Sequence, residues 1–294
     1  MIILLWKVVD DMNLNFEVNE YLLAWYLLYG ASLSKEIDKF RKSLWSKFQK
    51  EYNFCHKDKG EILKYGKDFI PDNDVLYEET FKSDLYLSLK KETIKHKMHL
   101  IKIFHSNDKE IKEAIKDVIK IKFKTGFKIY VVHPRMECIE FHNNNDTLIW
   151  GSDKDKYDVL TLLILNIIKG TMKEEFKDSK EILDSVMELA VINEIGNRLE
   201  SKENYELGNP TLKIIKRQIY PFWLMYLGYD SKETLLNKMI EDKIAFDIEN
   251  YPIDKNMKKM DLEEFISFCI KNNKHILKLG NVLQIEQEEE IEII

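Results

Sequence analysis

Along most of the chain, apolar residues recur at three- and four-residue spacing, the period of an amphipathic helix. Phe16 to Tyr29 is apolar almost all round, through Tyr21, Leu22, Leu23, Trp25, Tyr26, Leu27 and Leu28, and stops at Gly30. That pattern predicts a buried or partner-docking helix ended by a glycine. From Ser34 to Tyr52, Ile37, Phe40, Leu44, Trp45 and Phe48 mark one face of a second helix, with Ser32 or Ser34 as its N-cap. Lys67 to Asp74 reads as a loop, since Pro71 moves Ile70 away from helical geometry and Asp72, Asn73 and Asp74 favour a turn that caps the next helix. Helical spacing resumes from Phe81 to Phe123, with a break near Ser106, Asn107 and Asp108.

After Lys124-Thr125-Gly126 the texture changes. Phe127 to Val132 is β-branched and aromatic, a strand by composition. Cys138–Phe141 and Thr147–Trp150 flank the turn residues Asn143 to Asp146 and predict a hairpin. Helices follow over Tyr157 to Lys169 and Lys180 to Leu199, then a polar loop from Glu200 to Pro210. Leu212 to Leu227 is helical with a kink or boundary expected at Pro221. Leu235 to Ile240, capped by Asp230 or Ser231, and Asp261 to Ile270 close the series before a charged tail expected to fray. These elements predict a predominantly helical α+β protein: a helical N-terminal region over 1–124 and a mixed region with a small sheet over 125–294.

Composition narrows the function classes. The net charge of −6 and a pI near 5.8 give no global reason to expect nucleic acid or an anionic membrane as partner. Between Lys82 and Lys128 lie 13 Lys and no Arg against six acidic residues, but lysine and glutamate alternate at helical spacing, so a solvated helix face is expected there. Cys55, Cys138 and Cys269 share no Cys-x-x-Cys spacing, which argues against a disulfide framework or a thiolate metal cage and for a reducing compartment. The opening M-I-I-L-L-W-K-V-V-D-D lacks a basic start and a cleavage site, so it is expected to be a first strand or buried segment. No apolar run reaches the roughly 18 residues of a membrane helix, and a cytoplasmic location is expected.

The most specific stretch is Met187 to Leu199, M-E-L-A-V-I-N-E-I-G-N-R-L. Asn193, Glu194 and Asn197 stand where His, Glu and His stand in a zinc-binding helix, in which two imidazoles one turn apart hold the metal and the glutamate polarises its water. V-I-N-E-I-G-N-R-L therefore resembles a degenerate zinc metallopeptidase helix, with both ligands replaced by carboxamides that bind zinc poorly. The resemblance covers at most Phe127 to Leu227. It implies a zincin-like region and a pseudo-peptidase without metal or cofactor, in which Glu194 is a relic base and Asn193 and Asn197 serve in binding a peptide or protein along a sheet edge.

Read without that resemblance, the two asparagines are polar residues of a half-buried face, and Glu194 with Arg198 is a favourable helical pair. His133 and Arg135, just after the strand, form a candidate pair for an anionic group. Two further classes stay open. One is an active hydrolase in which Glu194 works with a metal held by Glu200, Glu203 or Glu206 and a histidine such as His133 or His142. The other is a helical interaction scaffold unrelated to peptidases.

Overall fold

The computed structural model describes residues 13–31, 34–121, 126–142, 146–152, 156–200, 208–242 and 253–276. Over these the protein is predominantly helical α+β with one small mixed sheet. The expected opening segment, the Ser32 cap, most of the loop carrying Glu203 and Glu206, and the acidic tail lie outside the described residues. The chain forms two compact units that interleave in sequence: Asp11–Ser106 with Lys124–Leu160, and Asn107–Phe123 with Thr161–Ile294. This differs from a single boundary near Lys124. The reason is long-range strand pairing, which draws an N-terminal segment into the unit that holds the hairpin.

That sheet unit contains β1 (Leu14–Glu17), β2 (Phe127–Val131), β3 (Cys138–His142) and β4 (Thr147–Gly151) in the order β1-β2-β4-β3. β1 and β4 flank β2 in parallel, with Leu14 opposite Phe127 and Lys128 opposite Thr147. The expected hairpin is the antiparallel β3–β4 pair, with Cys138 opposite Gly151. β2 and β4 are the inner strands and read as nearly continuous apolar runs, as strands covered on both faces do. Gly151 is required at its place, because a Cβ there would lie 2.7 Å from Val132 Cγ2 and 3.0 Å from the His133 carbonyl.

The helix expected from Phe16 begins later. Leu14 and Phe16 are buried in strand alternation, and α1 (Glu20–Tyr29) starts where the Asn19 side chain accepts from Leu22 N. Asn19 Nδ2 also donates to the Gly66 carbonyl, which fixes the start of the helix against another turn of chain. Gly30 ends α1 in an extended conformation, and a Cβ there would press to 2.6 Å from the Tyr26 carbonyl. α1 is buried almost throughout, packed on α4 (Asp58–Tyr65), α5 (Val75–Lys82) and α6 (Asp84–Ser106). The Ser34–Tyr52 pattern resolves into α2 (Lys35–Lys47), capped by Ser34, and α3 (Gln49–Cys55).

In the helical unit α7 (Asp108–Val118) follows the expected break at Asn107. α8 (Lys156–Thr171) enters the unit at Thr161. A continuous rod follows: α9 (Lys180–Met187), a π-helical segment (Glu188–Ile195) and α10 (Gly196–Glu200). α11 (Lys213–Leu227), α12 (Lys232–Glu241) and α13 (Leu262–Lys271) complete it. α11 runs through Pro221 without ending. Proline removes one backbone donor, but Tyr220, Pro221, Phe222 and Trp223 are all buried, and packing outweighs that loss. The Trp223, Tyr226 and Phe265 rings meet at 4.9 to 5.7 Å between centroids and form the centre of this core. Ser231 with Thr234, and Asp261 with Glu264, close capping boxes at α12 and α13.

Candidate functional site

The Asn193–Glu194–Asn197 stretch lies in the helical unit, at the end of the π-helical segment. Gly196 N donates to the carbonyl of Val191, the five-residue reach of a π turn, and also to that of Asn193. The wider turn changes which side chains share a face. In an α-helix residues five apart diverge by roughly 140°, and the wider π turn brings Glu188 and Asn193 closer to one face. One ammonium reaches both: Lys216 Nζ on α11 lies 2.9 Å from Glu188 Oε2 and donates to Asn193 Oδ1 at 3.4 Å. Asn193 is fully buried, and the Lys216 and Glu188 side chains are only 7% and 12% exposed.

The other side of the Glu188 carboxylate is closed by Asn209 N, which donates to both oxygens at 2.9 and 3.1 Å. Gly208 makes this approach possible. It sits at φ +122°, and a Cβ there would fall 2.2 Å from Glu188 Oε2. At Gly196 the Thr161 side chain of α8 would stand 3.4 Å from a Cβ, an ordinary contact distance, so no close approach requires a glycine there.

Glu194 turns to a different partner from Asn193. Its carboxylate accepts from Arg198 Nη2 at 2.9 Å and Nε at 3.1 Å, and Arg198 Nη1 reaches Asp117 on α7 at 3.2 Å. The helical Glu–Arg pair is therefore formed and extended into a triad. Asn197 Oδ1 is shielded from solvent.

These donors do not fit a zinc ion. The oxygens of Asn193 and Glu188 already face a buried ammonium, and carboxamide and ammonium supply no imidazole or thiolate. Among the described residues no cluster of three or more His, Cys, Asp or Glu is placed to hold a metal.

His133 and Arg135 lie in the sheet unit. His133 is buried, its Nδ1 accepts from Arg135 N at 3.2 Å, and its Nε2 lies 3.1 Å from Glu92 Oε2. An accepting Nδ1 places the ring proton on Nε2, so the imidazole donates to Glu92. That contact holds the Glu92 carboxyl below the usual carboxylate range. The histidine thus caps the turn at Pro134–Met136 and ties it to α6.

A second cluster lies in the sheet unit, and of its members only His142 figures among the candidates from the residue pattern. Cys138, Glu140 and His142 alternate along β3, and period-two spacing puts all three on one face. Glu140 is its hub: Tyr26 OH donates at 2.8 Å and Lys59 Nζ at 2.6 Å, while Cys138 Sγ lies 3.3 Å away and His142 Nε2 3.6 Å. The Lys59 ammonium also lies over the Trp25 and Tyr26 rings at 4.9 and 5.0 Å. His142 first, then Lys59 and Tyr26, hold the Glu140 carboxyl far below its ordinary range against the opposing effect of burial. The imidazole stands at 3.6 Å, beyond the length of a normal hydrogen bond, whereas lysine and tyrosine bind the carboxylate directly. Burial pushes the Cys138 thiol up to about 12, so the thiol stays protonated and is no ready nucleophile. The signal in the sequence was C-x-E-x-H, with His142 one residue past the strand expected over Cys138–Phe141.

No helix among the described residues is long and apolar enough to cross a membrane. Comparison with known proteins gives no matching family model, no matching curated protein and no matching solved structure.

Proposed function

We propose that this chain is a non-catalytic protein that binds a peptide or protein partner, and that its 193–197 turn is a metal-free counterpart of a zinc-peptidase helix. The observation that carries the reading is the Lys216 ammonium held between Glu188 and Asn193. A divalent cation brought to those oxygens would meet a like charge at contact distance in a poorly solvated place, a repulsion on the order of several kcal/mol. Glu194 is engaged by Arg198 and not free to polarise a water. β3, one of the two outer strands, pairs on one side only among the described residues and is half-buried along its length, an edge to which an extended peptide can add.

A second reading, a helical interaction scaffold with no peptidase ancestry, is favoured by one observation. The described part of the helical unit contains no strand, so the sheet lies in a different unit from the Asn193–Asn197 helix.

Elemental analysis of the purified protein tests the shared core of both readings. Zinc well below one equivalent is expected. Stoichiometric zinc that is lost in Glu194→Gln or His133→Ala overturns the metal-free reading in favour of an active hydrolase. The triple variant Asn193→His, Asn197→His, Lys216→Met separates the two: a gain of zinc affinity supports peptidase ancestry, and no gain in a folded variant supports the scaffold.

A further inference from the structure

α6 has an apolar face where a solvent face belongs. Its buried side carries Tyr86, Leu89, Thr93, Leu100, Ile103 and Phe104. On the opposite side of the same helix Leu87, Ile94 and Met98 are 51%, 42% and 56% exposed. The spacing of seven and then four residues aligns these three along the helix axis, one side chain wide.

Lysines flank the seam on both sides. By helical geometry Lys91, Lys95 and Lys102 border one edge, and Lys90 and Lys97 the other. Lys90 is neutralised by Glu20 at 2.7 Å. Among the described residues Lys91, Lys95, Lys97 and Lys102 pair with no carboxylate, and Glu92, the acidic residue in the middle of the helix, is taken by His133. A chain of net charge −6 thus keeps a bare cationic rim around an exposed apolar stripe.

We infer that the Leu87–Ile94–Met98 seam of α6 is a docking surface for an acidic amphipathic helix of a partner protein. The inference deepens the reading of the chain as a partner-binding protein and rests on it. A one-residue-wide seam with charged flanks is the geometry of helix pairing, in which apolar residues interlock and flanking glutamates meet lysines. A helix lying in a lipid surface presents a broader apolar face with bulky aromatic residues, and α6 keeps Tyr86 and Phe104 buried. Phosphate backbones would use the lysines but leave three apolar side chains in water, and α6 itself carries no exposed Phe, Tyr or Trp on which a base could stack.

The probe is a fluorescent four-heptad peptide with Leu at its seam positions and Glu on both flanks, titrated into the full-length chain at low and physiological salt. It is compared with the same peptide carrying Lys on its flanks, with phosphatidylserine vesicles and with a short DNA duplex. The glutamate peptide is expected to bind, more weakly as salt rises. Ile94→Glu with Met98→Glu, and separately Lys91→Glu with Lys95→Glu, should each lower affinity at least tenfold while circular dichroism and the thermal midpoint stay unchanged. Any of three results overturns the inference: no binding by the wild-type chain, equal binding of the lysine peptide, or affinity untouched in both variants. Capture by vesicles or DNA through these residues, without peptide binding, also overturns it. Zinc content reports on the metal-free reading separately, so a zinc-free protein that ignores the peptide sinks this surface alone.

Discussion

Glu188 and Lys216 form an ion pair of 2.9 Å with both side chains almost out of water, and Asn209 N holds the far side of the carboxylate at 2.9 Å. Removing one partner of such a pair is harsher than removing both, because a lone buried charge keeps its desolvation cost. Lys216→Met is expected to destabilise the protein by about 3–5 kcal/mol. Adding Glu188→Leu should recover most of that loss in urea unfolding. A double variant as unstable as the single one would show that the pair does not act as a unit.

Gly196 tests whether the helix needs its glycine. A Cβ would meet the Thr161 side chain and the Val191 carbonyl at 3.4 Å, ordinary contact distances, and the backbone there is helical. Gly196→Ala is therefore expected to be neutral or stabilising by up to ~1 kcal/mol, the difference between the two residues in a helix interior. A clear loss in the thermal midpoint would place a tighter contact at this turn. Gly208→Ala should behave in the opposite way, since both its positive φ and the Glu188 oxygen at 2.2 Å forbid a side chain.

The Glu140 hub makes acid stability readable. Its carboxyl is depressed in the folded state by His142, Lys59 and Tyr26, so its contribution is fully present above the unfolded glutamate value, roughly 4.3. The contribution fades as pH falls through the lower folded value. Stability curves of wild type and Glu140→Gln should therefore lie apart at neutral pH and converge in acid. Parallel curves from pH 7 downward would mean that the carboxylate is not held by its neighbours.

The cysteines should be silent in the folded protein. Burial pushes Cys55 and Cys138 up to about 12 and raises the fully buried Cys269 as well. At pH 8 a disulfide reagent should titrate fewer than one of the three thiols within minutes, and all three after denaturation. Fast labelling of Cys138, followed by peptide mapping, would contradict the shielded face of β3.

Much of the architecture was legible because it is local. The break at Asn107, the β3–β4 hairpin and the caps at Ser34 and Ser231 follow from capping chemistry and short-range turns. The misplaced start of α1 was not: Leu14 and Phe16 join a strand only because β2 lies more than a hundred residues away to receive them. At Pro221 the boundary alternative fails for a related reason, since its neighbours' burial decides that the helix continues.

For the site, the sequence by itself determined the residue types: two carboxamides and a glutamate on one rod, an Arg198 in reach of Glu194, and a Cys-Glu-His alternation on a strand. Tertiary structure alone decided the partners. The π turn brings Glu188 and Asn193 closer to one face, only α11 brings Lys216 to both, and only the packing of α1 and α4 onto β3 puts Tyr26 and Lys59 on Glu140. Spacing along a chain sets which face a side chain shares with its near neighbours. Which charge it meets across that face depends on contacts between distant segments, and no local pattern encodes those.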